Sequence, residues 1–200
     1  MTSSLITKKK IAKSFKRLFI SQAFDKISVS DIMEDAGIRR QTFYNHFVDK
    51  YALLEWIFQT ELSEQVTDNL DYISGFQLLS ELLTFFKMNQ EFYIKLFQIE
   101  DQNDFSSYFE SYCEQLVDKL LSDYSKSNFN QKERVTFINY HSKALSYFIK
   151  YELINNSKEE LFNRKVIEKI IRTSIEKSLS IILCKHSSKA DIVNQIGFQV

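Results

Sequence analysis

Between Arg39 and Lys50 the chain gathers side chains suited to one kind of chemistry, hydrogen bonding to the exposed edges of stacked bases and to the phosphates beside them. A guanidinium matches the two acceptors of guanine, and a carboxamide matches the donor and acceptor of adenine. Arg39, Arg40, Gln41 and Asn45 are therefore candidate base readers. Thr42, Tyr44, His46 and Lys50 suit phosphate, which accepts from small hydroxyl donors or positive charges and carries no sequence information. Phe43 and Phe47 stand four residues apart, so a helix would bury them on one side and send the polar set to the other. On this ground alone an ordinary solvated helix face remains the alternative.

Presenting such a face to a groove needs a rigid support, and the preceding residues predict one. Ile6, Ile11, Phe15, Leu18 and Phe19 recur at helical spacing among lysines, giving a basic amphipathic helix from about Ile6 to Phe24. Ser28 followed by Asp31 has the pattern of a capping box, in which each side chain satisfies the other's free backbone N–H. A short helix begins there, turns Val29, Ile32, Met33 and Ala36 inward, and stops at Gly37, where a left-handed residue is needed. Ile38 plugs the turn, the reader helix runs from about Arg40 to Phe47, and Asp49 caps a fourth helix reaching Leu62 or Val66. Helix, capped short helix, glycine turn and polar short helix is the order of a helix-turn-helix, whose second element enters the major groove.

The run ISVSDIMEDAGIRRQTFYNHF at residues 27–47, followed by Lys50 and Leu53-Leu54, resembles the signature of the TetR family over about a quarter of the chain. The resemblance implies that Ser28 caps the second helix and touches phosphate. It also implies that Arg39, Arg40, Gln41, Thr42, Tyr44 and Asn45 face DNA and that Lys50 meets the backbone, in agreement with the chemical assignment. Gln41 stands where many members carry Gly, Ala or Pro, which bears on base preference, and Ser28 stands where Thr is commoner. The Arg-Arg-Gln-Thr-Phe-Tyr-Asn run is more narrowly similar to the branch that contains an activator of dihydroxyacetone kinase operons in Gram-positive bacteria.

Composition agrees with a helical protein. The 200 residues are 44% hydrophobic and 26% charged, with no proline and three glycines, too little punctuation for many strands and hairpins. The expected fold is all-α, with an N-terminal three-helix DNA-binding domain over residues 1–50 and a C-terminal helical bundle for effector sensing and dimerisation over residues 51–200. Net charge is zero overall, yet residues 1–50 carry about +5 and the remainder about −5, a basic head on an acidic body. Cys113 and Cys184 form no ligand or disulfide pattern, so no metal is expected. No apolar run of signal-peptide or membrane-spanning length occurs, which predicts a cytoplasmic protein with no membrane partner. Nucleophile-elbow, phosphate-loop and H-E-x-x-H motifs are absent, which argues against an enzyme and its cofactors.

Helical spacing continues through about 76–88, 91–98, 105–124, 131–154 and 158–184, whereas the residues after His186 fit either a short helix or a frayed end. The penultimate segment carries one apolar stripe with Val135, Ile138, Leu145 and Ile149 and a second with Phe137, Ala144, Tyr147, Phe148 and Tyr151. A helix apolar on two sides needs two partners. The family resemblance makes the second partner another copy, in a homodimer joined through the last two long helices. It also implies a double-stranded DNA operator and an effector, either a small molecule or, in the narrower branch, a protein coregulator. Phe97, Tyr108, Phe109, Tyr112 and His141 are the candidate ligand-binding residues, although aromatics at helical spacing are more often core. A nucleoid or interaction factor using the same head without a dedicated promoter is the remaining alternative.

Overall fold

The computed structural model describes residues 3–99, 105–124, 129–156 and 161–177, and among those residues the regular elements are all helices, without a strand. Helix α1 spans Ser3–Ser21, α2 Val29–Asp35, α3 Arg40–Tyr44 and α4 Lys50–Gln65. The body follows with α5 Gly75–Met88, α6 Gln90–Phe97, α7 Phe105–Tyr124 and α8 Gln131–Asn155. The described part of a last helix, α9, covers 164–177. The residues beyond it, including the tail after His186, lie outside the described residues.

The helices start where side chains can satisfy free amides. Ser28 Oγ accepts from the Asp31 amide at 3.2 Å, and the Ser28 amide donates to Asp31 Oδ2 at 2.8 Å, closing the expected capping box. Asp49, Ser74 and Asn130 cap α4, α5 and α8, and Asn130 forms a second reciprocal box with Glu133. The reader helix is shorter than its periodicity predicts, since the Asn45, His46 and Phe47 amides bond to the Thr42 and Phe43 carbonyls in a tight closing turn.

Apolar residues at helical spacing weld head and body. Ile11, Phe15 and Phe19 of α1, Ile32 and Met33 of α2, Phe43 of α3 and Leu53, Leu54, Ile57 and Phe58 of α4 are all at most 1% exposed. The same core continues into Leu82, Phe86, Phe92, Leu96, Phe109 and Leu116. Gly75 fits where α5 begins against α7, because a Cβ there would lie 2.9 Å from the Leu120 backbone. Its amide donates to Asp123 Oδ2 at 2.6 Å.

On α8 the two apolar stripes separate as their spacing predicts. Leu145, Ile149 and Leu153 are buried, whereas Tyr140 (70% exposed), Tyr147 (68%), Tyr151 and Ile154 lie exposed. Val135, assigned to the inner stripe, is half exposed, and Phe137, assigned to the outer one, packs on the core. Helix α9 repeats the division, with Ile167 and Ile175 buried and Val166 and Ile170 exposed.

Candidate nucleic-acid interface

The turn that aims the reader helix is a backbone device. At the end of α2 the Gly37 amide bonds to the Glu34 carbonyl and the Ile38 amide to the Met33 carbonyl, both at 3.0 Å, while Gly37 takes φ +62°. This is the Schellman arrangement, which needs a left-handed residue at that position and satisfies carbonyls the helix end leaves free. Behind it, Ser14 Oγ donates to the Ile32 carbonyl at 2.7 Å, and Asp35 pairs with Arg17 and Ser14. Those two partners hold the Asp35 carboxyl below the usual carboxylate range. Helix α2 is thereby fixed to α1, and α3 is fixed to α2.

Helix α3 then presents what the sequence places on it. Phe43 is fully buried, its ring 5.6 Å from Phe47. Arg39, Arg40, Gln41, Tyr44 and Asn45 are exposed, and Thr42 and His46 are half-buried at the rim. The Arg40 guanidinium donates to Tyr44 Oη at 3.2 Å and lies 5.8 Å from the centre of its ring, which restrains both side chains on one surface. Ser28 is exposed at the start of α2. Five long polar side chains on a short, rigidly seated helix, with a hydroxyl at a neighbouring helix start, can reach base edges and flanking phosphates.

Lys50, expected to meet phosphate, has partners within the protein. Its Nζ donates to the carbonyls of Phe24, Ile27 and Asp25 at 2.8, 3.1 and 3.4 Å and lies 4.4 Å from the centre of the Phe24 ring. All three ammonium hydrogens have acceptors within the protein. Lys50 fastens the segment that leads into α2.

Other positioning residues carry no motif by which the sequence could reveal them. Lys95 of α6 reaches across to the end of α1, donating to the carbonyls of Phe19, Ile20 and Gln22 at 3.0, 2.6 and 3.2 Å. Lys16 of α1 donates to Glu61 of α4 at 2.7 Å, and the other oxygen of Glu61 accepts from the buried Tyr93 hydroxyl of α6 at 2.7 Å. Burial and the neighbouring Glu61 charge push the Tyr93 hydroxyl well above its ordinary pKa, so it stays a donor. These contacts join head to body. Lys10 and Lys13 of α1 are exposed and extend the positive surface of the head.

The five candidate ligand residues do not form one site. Phe97 and Phe109 pack, tilted or edge to face, into a ring cluster with Phe58, Phe86 and Tyr93, and Phe109 is fully buried. Tyr108 and Tyr112 direct their hydroxyls to α4, at Glu55 Oε1 (2.8 Å) and the Gln59 carbonyl (3.1 Å). His141 lies apart from them, among apolar residues of α7, α8 and α9. Phe109 is core and Phe97 packs against it, because rings at helical spacing on adjacent helices fill one another's space, whereas Tyr108 is exposed.

Comparison with known proteins agrees with this architecture. The family described as "Bacterial regulatory proteins, tetR family" matches residues 13–57, and that described as "Transcriptional regulator C-terminal region" matches residues 75–176. The chain belongs to the TetR family and is a DNA-binding transcriptional regulator of that type. It is 39% identical over 170 residues to the HTH-type dhaKLM operon transcriptional activator DhaS of Lactococcus lactis subsp. lactis (strain IL1403), covering 83% of this chain and 90% of that protein. A solved structure, the dihydroxyacetone kinase operon activator DhaS, superposes with a TM-score of 0.77 at 37% identity, over 86% of this chain and 97% of that one. Among the described residues no helix is long and apolar enough to cross a membrane.

Proposed function

We propose that the protein binds a pseudo-palindromic operator as a homodimer, reading bases with Arg39, Arg40, Gln41 and Asn45 of α3. Ser28, Thr42, Tyr44 and His46 contact the flanking phosphates, and Lys50 supports them from behind. The observation that carries this reading is the exposed polar face of α3, seated on buried Phe43 and aimed by the Gly37 turn. The exposed apolar stripe of α8, with Val166 and Ile170 of α9, supports pairing of two copies through the last two helices. A two-fold dimer sets its reader helices about 34–36 Å apart or at a multiple of that distance, matching successive major grooves on one side of the duplex. Selection from random DNA followed by footprinting tests the reading. Recovery of a symmetric half-site pair is expected, and a monomer with no preferred sequence overturns it.

A narrower reading is favoured by one comparison. The relative that is 39% identical over most of both chains is an activator of a dihydroxyacetone kinase operon, and we infer that this chain activates an operon of that kind. Its body takes the signal from an effector, a small molecule or a protein coregulator. Mapping the selected operator upstream of the host's own genes, with transcript levels in a deletion strain, checks the target. Loss of transcripts from a dihydroxyacetone kinase operon is expected, and unchanged levels exclude this target while leaving operator binding intact.

A further inference from the structure

Helix α6 is short, Gln90–Phe97, and a polar side chain near each of its ends closes the end of another helix. At its start the buried Gln90 donates through Nε2 to the carbonyls of Leu153 and Asn156 at 3.3 and 3.1 Å, where α8 ends. About 7.5 Å further along the axis, Lys95 donates to the carbonyls of Phe19, Ile20 and Gln22, where α1 ends. Carbonyls at a helix C-terminus lack amide partners within the helix, so both side chains satisfy groups that would otherwise need water. Between them Tyr93 bonds to Glu61 of α4, which Lys16 of α1 shares, and the Phe92 ring meets Phe19 edge-on at 5.4 Å. Helix α6 thus bridges α8, whose Tyr147, Tyr151 and Ile154 lie exposed, and the first helix of the head.

We propose that Gln90 and Lys95 are positioning residues that decide which half-site spacing the dimer accepts, with α6 as the strut that sets the separation and phase of the two heads. The proposal rests on operator binding by a dimer joined through the last two helices. In such a dimer the path from one reader helix to the other runs through α1, α6 and α8 of each copy, so play at either end of α6 becomes play between the readers. Helix α4 also runs from head to body, but one helix alone can tilt about its far end, and a second link off its axis fixes that tilt. Apolar contacts such as Phe19 with Phe92 are non-directional and tolerate sliding, whereas hydrogen bonds weaken steeply as their angle opens. The aim of the reader within the head is a separate matter, set by buried Phe43 and the Gly37 turn. A change at Gln90 or Lys95 therefore moves the head as one body and leaves base preference alone.

The test measures the affinity of the full chain, at one salt concentration, for its selected operator and for versions with one base pair added or removed between the half-sites. Each such change moves the half-sites by about 3.4 Å and turns them by about 35°. The unaltered protein should bind the altered spacings at least about tenfold more weakly, the strength of one charge-assisted hydrogen bond. Lys95→Met and Gln90→Met remove the donors while keeping much of the bulk, and each should cut that penalty about threefold, the span of one net hydrogen bond. Lys95→Arg, which keeps donors, should retain most of the penalty. Lys143→Met, which breaks an ion pair with Glu110 away from α6, should leave it unchanged. Single-base changes within a half-site should cost every variant what they cost the unaltered protein. The two methionine substitutions act at opposite ends of α6, so if one fails to fold by circular dichroism the other decides. A purely structural role would weaken all spacings alike, and that result, or an unaltered protein that accepts all three spacings equally, overturns the proposal. An unaltered protein with no preferred sequence overturns operator reading itself, and this proposal with it.

Discussion

Replacing Lys50 with alanine separates a residue that grips DNA from one that holds the protein in shape. Its ammonium donates to three carbonyls and faces the Phe24 ring. Charge-assisted hydrogen bonds contribute about 1.5–3 kcal/mol each when buried. Lys50 is only half-buried, and water can replace it at the more open carbonyls, so the two shorter bonds and the ring contact together contribute about 2 kcal/mol. For a chain of this size that is a fall in Tm of about 4–8 °C, measured at fixed protein concentration because dimerisation also shifts Tm. A lysine on a phosphate predicts something else: losing one contact per protomer lowers the slope of log affinity against log salt by about 1.8 for a dimer. Lys50→Ala should therefore lower Tm and weaken all operators alike while the salt slope stays that of the unaltered protein. A slope reduced by about 1.8 with Tm unchanged would refute the structural role.

Arg40→Ala or Gln41→Ala should relax base preference at one position of each half-site, costing about 1–3 kcal/mol at the matched base pair, as read by competition binding with single-base operator variants. Gly37→Ala meets no neighbouring atom but must adopt φ +62°, so it should destabilise by about 1–2 kcal/mol in urea denaturation, with Gly37→Asn closer to the unaltered protein. Tyr147→Glu with Ile170→Glu should leave helicity by circular dichroism intact and shift the protein to monomer in ultracentrifugation, with operator affinity lost. His141 is held neutral by burial, so the unfolded chain binds its proton more readily than the folded one. Its contribution to stability is therefore full above about pH 6.5 and declines as pH falls below that value, and His141→Gln should flatten this part of the Tm–pH curve.

Much of the head was legible in the amino-acid sequence because its signals are local. A capping box spans three residues, the Schellman turn needs a left-handed residue that Gly37 supplies, and the i, i+4 pair Phe43 and Phe47 tells α3 which side to bury. Those short-range rules assign Arg39, Arg40, Gln41, Tyr44 and Asn45 to the surface before any tertiary contact forms. Helix periodicity likewise separates the inner and outer stripes of α8 along most of its length.

What the tertiary structure decided was where each side chain ends up when the helices meet. Lys50 is as plausible a phosphate ligand as any lysine at a helix start, until the carbonyls of Phe24, Asp25 and Ile27 come within its reach from a segment more than twenty residues away in the chain. Lys95, Lys16, Glu61 and Tyr93 carry no pattern at all, since their partners are 32 to 76 residues distant. The aromatic middle and His141 differ in the same way. Spacing places rings on a helix face, but only packing determines that Phe97 and Phe109 fill the core while the space left over falls beside His141. Periodicity records which way a residue faces; whether it meets another ring, a carbonyl or a void depends on the chain that folds against it.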